Sequence, residues 1–276
     1  MQKTTNRPGV AKSSSTVVGA DPAERLTTWA GRRELAFFVP HLRPGMRLLE
    51  GGCGSGSMAL ELASVVHPGE VVGVDIDTKR VTEARTAAAG QGLNNVRFET
   101  ASVLSLPFAN DSFDAAFLSS VCEHLQDPLT ALRELVRVVK PGGVIGVRDH
   151  EPSGMLVAPY DPLFREMLDL VLRYRTHAGT DFQIGRKLRG VLHAAGLQRV
   201  TATGTAEVHG TPEGTRQFGE AMLERLSTAP WVSGSIGLGW IDEQRVGQIK
   251  EAWRAWSQHR DAFVLLPECE AIGWVP

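Results

Sequence analysis

The sequence predicts an α/β fold of the doubly wound type, and three observations point to it. Between residues 46 and 147, short apolar runs alternate with longer stretches that carry apolar residues at helical spacing. The short runs are apolar at nearly every position, as strands buried on both faces are. A glycine-rich turn joins the first run to the first helix, and an acidic residue closes the second run. Parallel strands linked by right-handed helical crossovers satisfy all three.

The elements follow in order. Residues 1–20 hold Lys3, Arg7 and Lys12 among Ser and Thr, with no acid until Asp21; lacking an amphipathic face, they read as a disordered or lid-forming tail. Asp21-Pro22 starts a helix in which Leu26, Trp29, Ala30, Arg33, Ala36, Phe37 and Val39 share one spacing. Pro44-Gly45 turns the chain into a strand at 46–50, and a helix over 57–66 ends at Pro68-Gly69. Strands at 71–76, 96–100, 115–118 and 144–147 alternate with helices at 79–89 and 128–139 and with the turn Pro141-Gly142-Gly143. After His150 the rhythm breaks, because residues 151–180 are rich in Pro, aromatic and Arg residues and offer one helix, 163–174, where a short connection suffices. An insertion at the carboxyl edge of a parallel strand is placed to cover a ligand, so 151–180 is expected to be a cap or lid within a domain spanning 21–276. A helix at 185–195, a strand at 197–202, helices at 215–226 and 242–259, and strands at 263–266 and 272–275 complete the chain.

Composition narrows the function. The 29 Lys+Arg against 31 Asp+Glu leave a formal charge of −2, so no global positive field gathers nucleic acid or an anionic membrane. Cys53, Cys122 and Cys269 are an odd count with no paired spacing, which argues against a disulfide framework or a metal knuckle and for a reducing, cytoplasmic setting. No stretch approaches the roughly 20 apolar residues of a membrane-spanning helix. A small-molecule partner, without metal, is the expectation.

The sharpest local feature is Glu50-Gly51-Gly52-Cys53-Gly54-Ser55-Gly56 between a strand and a helix. Glycines there permit a tight turn and close backbone approach to a ligand, and the helix start presents free N–H groups. Asp75, at the end of the second strand, is placed to accept both hydroxyls of a ribose. A nicotinamide dinucleotide and S-adenosylmethionine both meet these requirements. The loop spacing differs from G-x-G-x-x-G, however, and the Glu50 carboxylate disfavours a pyrophosphate while suiting an ammonium or sulfonium group.

Together, the run 48–56, Val74-Asp75-Ile76-Asp77, Leu106-Pro107-Phe108 with Ser112-Phe113-Asp114, Glu123-His124, and the run from Arg137 to Gly143 resemble class I S-adenosylmethionine-dependent methyltransferases. Within these the chain is similar to the branch of ubiquinone and menaquinone biosynthesis C-methyltransferases, which includes natural-product enzymes. The resemblance implies a Rossmann-like, seven-stranded mixed sheet with its last strand antiparallel, helices on both faces and a helical lid. It further implies S-adenosylmethionine as cofactor, with Glu50, Gly52, Cys53, Gly54 and Gly56 in the methionine-end loop, Asp75 on the ribose and Ile76 beside the adenine. Where such proteins commonly carry an Asp for the adenine amino group, this chain has Ser102 followed by Val103. Ser119 and Ser120 would lie beneath the sulfonium, and nothing there matches the Asn/Asp-Pro-Pro-Tyr/Phe motif of nucleic-acid amine methylation.

The reaction so implied is methyl transfer to carbon or oxygen of a small, apolar metabolite. His124 is the expected base, against the alternative of a histidine that only packs at a helix entry. His150 follows the fifth strand and, with Trp29, Tyr160 and Tyr174, is expected to line the acceptor pocket; Glu151 reads as a surface residue. Arg165, Arg173 and Arg175 read as a solvated helix face. Two other readings stay open: a nicotinamide-dependent oxidoreductase, and a cofactor-binding module that methylates nothing. A homo-oligomer is compatible with either.

Overall fold

The computed structural model describes residues 34–276; the tail 1–20, most of the first expected helix and Trp29 lie outside the described residues. The chain forms one mixed sheet. Strands β1 (Leu48–Gly51), β2 (Val71–Asp75), β3 (Val96–Thr100), β4 (Phe113–Ser119) and β5 (Val139–His150) are parallel. The last strand, β8 (Phe263–Trp274), lies antiparallel between β5 and β7 (Gln198–His209), and a short β6 (Leu156–Ala158) pairs with its first residues. The order runs β3-β2-β1-β4-β5-β8, with the reversal of winding between β1 and β4. Ligands sit outside the carboxyl ends of the strands at such a point.

The sheet has eight strands rather than the expected seven, the addition being β6. The tail, read as two strands, is a single one: Glu268 and Glu270 interrupt its apolar pattern, yet both are buried against β5 and β7. The strand at 197–202 likewise runs on to His209 through polar Thr203, Thr205 and Glu207.

Helices α1 (Ser57–Val66) and α2 (Thr78–Gly90) cover one face of the sheet, where Leu48, Val71, Phe98, Phe117 and Val144 form the core. Phe38 stacks on Phe117 with ring centroids 5.1 Å apart and completes that face. Helices α3 (Pro128–Val138) and α5 (Leu188–Ala194) cover the other, burying Leu132, Leu135 and Leu192 against Leu49, Val72 and Ile145. Local signals account for the helix starts. Asp77 caps α2, and Asp127-Pro128 and Asp161-Pro162 each place a capping carboxylate before a proline whose missing N–H costs nothing in a first turn.

Helix α4 (Pro162–His177) does not stand alone over the sheet. With α6 (Pro212–Thr228), α7 (Pro230–Gly237) and α8 (Glu243–Ser257) it builds a third apolar cluster around Trp253, which is fully buried. The Phe164 ring centroid lies 4.1 Å from that of Trp253 in that cluster. Helix α7 was not expected, because Gly234, Ser235 and Gly237 dilute its apolar pattern. Trp253→Ala should cost about 3–5 kcal/mol, the range for deleting a buried Trp side chain. Urea unfolding checks this, and a loss below about 1 kcal/mol would show that the helical cluster contributes little to folding.

Candidate active site

The carboxyl ends of β1, β4 and β5 and the β8 side of the sheet enclose a cavity of ≈ 310 Å³. Six residues singled out from the sequence line it: Glu50, Gly52, Cys53, Ser119, Ser120 and His150. The loop after β1 needs its glycines. Gly52 has φ +65°, and a Cβ there would stand 2.4 Å from the Val121 side chain. Gly56 has φ +86° as it enters α1, where a Cβ would meet Phe98 and Ala84 at 2.7 and 2.8 Å.

Asp75 ties the loop to β2. One of its carboxylate oxygens accepts from the Gly54 N–H at 2.8 Å, the other from the Asp77 N–H at 2.9 Å. Each oxygen keeps a further acceptor site for a ribose hydroxyl. Ile76, beside it, is 77% exposed, a bare apolar side chain at the sheet edge where an adenine ring would pack. Glu50 is buried and its Oε2 has no hydrogen-bond partner. Burial pushes its carboxyl up to about 8, with the nearby Asp75 charge adding to the effect. A buried acid with one unpartnered oxygen under a glycine turn fits a ligand that brings an ammonium group.

Comparison with known proteins agrees with this geometry. Residues 49–147 match the family model described as a methyltransferase domain. These residues are thus similar to methyltransferase domains, in line with the class I S-adenosylmethionine-dependent family that the sequence resembles. An uncharacterized methyltransferase of Schizosaccharomyces pombe is 32% identical over 56% of this chain and 57% of its own length. The uncharacterized methyltransferase YcgJ of Bacillus subtilis is 36% identical over 47% of this chain and 48% of its own. The chain thus spans about half the length of these curated relatives. A probable methyltransferase, ltbC, of Aspergillus luteorubrus is 29% identical over 91% of this chain and 93% of its own length. The crystal structure of YcgJ shares the fold at a TM-score of 0.57 and 23% identity, covering 87% of this chain and 97% of that one. The oxidoreductase alternative is thereby set aside.

Other expected residues fall elsewhere. Ser102 sits in a turn, its Oγ accepting from the Leu104 N–H at 3.2 Å, and Val103 is buried below the loop near Gly51; neither lines the cavity. Tyr160 is 67% exposed, and Tyr174 is packed where α4 meets Gly234 of α7, so neither reaches the cavity. Tyr160 precedes α4, and Tyr174 lies on the side of α4 that meets α7. His124 also misses the cavity. Arg175 donates to its Nδ1 at 3.0 Å, and its Nε2 lies 3.3 Å from Glu123. Burial and the Arg175 charge hold its pKa below the ordinary value although Glu123 opposes them. Arg173 and Arg175 are more than a solvated face, lying over the Trp240 and Phe182 rings, whereas Arg165 pairs with Asp169 at the surface. Glu151, read as a surface residue, is buried and accepts from Nε and Nη2 of Arg186 at 2.7 and 2.6 Å.

The histidine that faces the cavity is His150. Its Nδ1 lies 2.9 Å from Glu123 and 3.4 Å from the Ser120 Oγ; its Nε2 lies 3.3 Å from Glu268. Burial works against a charged imidazole, but the two carboxylates outweigh it and raise the pKa. Glu123, Arg148 and Glu268 were not foreseen as site residues. Glu123 adjoins the histidine that drew attention, and Glu268 is one of two acids, with Glu270, that interrupt an apolar strand run, a pattern that by itself signals only an edge.

Glu50 yields a test of the loop assignment. Below pH 8 its carboxyl is protonated in the free protein, and an ammonium ligand favours the carboxylate, so S-adenosylhomocysteine binding should release a proton and strengthen as pH rises toward about 8. Calorimetry in buffers of different ionisation enthalpy measures this. Glu50→Gln should abolish the release; proton uptake, or release unchanged in that variant, contradicts the assignment.

Proposed function

We propose that the chain transfers the methyl group of S-adenosylmethionine to an oxygen or carbon of a small-molecule acceptor, with His150 taking the acceptor's proton. One observation carries this reading: the glycine loop and His150 line the same cavity. When bound, the cofactor supplies a methyl group activated by a sulfonium, so the protein's own work is alignment, exclusion of water and proton handling.

Each of these tasks has residues to perform it. Glu50, the loop after β1 and Asp75 hold the cofactor along the sheet edge. Ser119, the last residue of β4, and Ser120 line the same cavity as that loop and His150. Glu123 accepts from Nδ1–H of His150, which fixes the tautomer and leaves Nε2 as the proton-accepting atom. Glu268, beside Nε2, then stabilises the imidazolium that forms. His150 replaces His124 as the base because His124 is turned toward Arg175.

The near-zero net charge supports a small-molecule acceptor rather than nucleic acid. The resemblance to quinone and natural-product methyltransferases supports an acceptor with a hydroxyl or an acidic C–H. An apolar acceptor draws less support, since Met58 is the main apolar side chain among carboxylates and hydroxyls on the described walls.

Radiolabelled S-adenosylmethionine incubated with the protein and a small-molecule extract of the source organism should place label in a low-molecular-weight product. Cofactor binding without incorporation would instead indicate a module that methylates nothing. With the acceptor in hand, kcat should rise with pH through a midpoint above 6.5, the ordinary histidine value, because the base works only when deprotonated. His150→Gln should lower kcat by about 10²–10⁴-fold and leave S-adenosylhomocysteine affinity within about twofold; an unchanged kcat removes His150 from the chemistry.

A further inference from the structure

The cavity wall has a second buried acid that the proton transfer does not fully use. Glu268 is 2% exposed, and its Oε2 has no hydrogen-bond partner. The nearest cations are Arg148, whose Nη2 is 3.5 Å from Oε2, and His150, whose Nε2 is 3.3 Å from Oε1; both exceed the length of a charge-assisted hydrogen bond. The Arg148 Nε is itself unpartnered, so the two side chains do not close a bidentate bridge. A buried carboxylate left in this state is costly unless a ligand completes it.

The charge around the cavity points the same way. Glu34, Glu50, Glu207 and Glu268 line it, against Arg148 and His150. Glu50 serves the ammonium of the cofactor, and Glu207 is held by His209 at 2.8 Å. That leaves Glu268 as the buried acid whose counter-charge neither the cofactor nor a full hydrogen bond supplies. Among the described residues no group of three His, Cys, Asp or Glu is arranged to hold a metal ion, so an organic cation is the matching chemistry. Burial also raises the proton affinity of Glu268, outweighing the opposing charges of His150 and Arg148.

Resting on the proposed methyl transfer at this site, we infer that the acceptor carries a protonated or quaternary nitrogen, held against the Glu268 carboxylate while a separate oxygen or carbon of the same molecule meets the methyl group. Glu268 then sets acceptor specificity, in addition to supporting His150.

The test uses two probes that differ in charge and hardly in shape: choline, a quaternary ammonium alcohol, and its uncharged carbon isostere 3,3-dimethyl-1-butanol. Each is titrated calorimetrically into protein saturated with S-adenosylhomocysteine. Choline should bind at least about tenfold more tightly than the isostere, a difference on the scale of one charge-assisted contact. Glu268→Gln should remove that preference while S-adenosylhomocysteine still binds, and Glu268→Asp, which keeps the charge, should restore part of it. Equal affinity for the two probes, no choline binding at high millimolar concentration, or a choline preference undiminished in Glu268→Gln overturns the inference. Should Glu268→Gln fail to fold, the comparison of the two probes on the unmodified protein decides the matter alone. Failure of S-adenosylhomocysteine itself to bind overturns the cofactor reading beneath it, and the saturation step reveals this before either probe is added.

Discussion

The antiparallel register of β5 on β8 sets Arg148 opposite Glu270 and His150 opposite Glu268, and the candidate site depends on that alignment. Side chains alternate across a strand, so a slip of β8 by one residue would send Glu268 and Glu270 to the opposite face, into the apolar core around Ile145 and Val147. Farther down the same face, Val144 and Ile272 join the core formed by Phe38 and Phe117. One continuous face therefore changes from apolar floor to charged edge within a few residues. The floor makes the register strongly preferred, and the edge inherits the precision. Strand β7 adds to it, because Thr203 and Thr205 donate their hydroxyls to Glu270 at 3.0 and 2.8 Å and satisfy that buried acid without a ligand.

Several carboxylates crowded at one edge repel one another, and each finds a different remedy. Glu123 is ionised: burial opposes this, but the His150 hydrogen bond and charge overcome it. Asp149, on the other face, accepts from the Glu123 N–H at 3.1 Å, and burial together with the Glu123 charge pushes its carboxyl up to about 7. Glu123 thereby links the two faces, with its backbone on Asp149 and its side chain on His150. Glu50 and Glu268 each keep one oxygen, Oε2, without a hydrogen-bond partner inside the protein. Buried groups whose charge is completed from outside are where ligand binding has the largest electrostatic leverage, and these two line one cavity, where the proposed cofactor and acceptor would meet.

The parallel half of the fold was legible because each of its signals is local. Val71, Val72 and Val74 name a buried strand, Asp127-Pro128 names a helix start, and the glycine loop with Asp75 names a cofactor edge. The acceptor side was not, because its signals are long-range. His150 and Glu268 are distant in sequence and meet only through strand pairing, and Glu268 and Glu270 broke the apolar pattern of β8 so that it read as two strands. His124 drew the role of base because its place in the sequence put it near the expected sulfonium pocket and a histidine titrates near neutral pH. The chain takes it instead to the surface side of Glu123, where Arg175 of α4 holds it. Aromatic residues of α4 suggested an acceptor wall, yet Phe164 is taken by Trp253 in the helical cluster.

The central claim is that cofactor and acceptor meet in the cavity bounded by the glycine loop, Ser120, His150 and Glu268. A crystal structure with S-adenosylhomocysteine bound tests it most directly. The account predicts the amino group against Glu50, the ribose on Asp75, and the sulfur facing the part of the cavity that His150 and Glu268 line. An adenosyl group bound elsewhere, or a sulfur screened from His150, would contradict it.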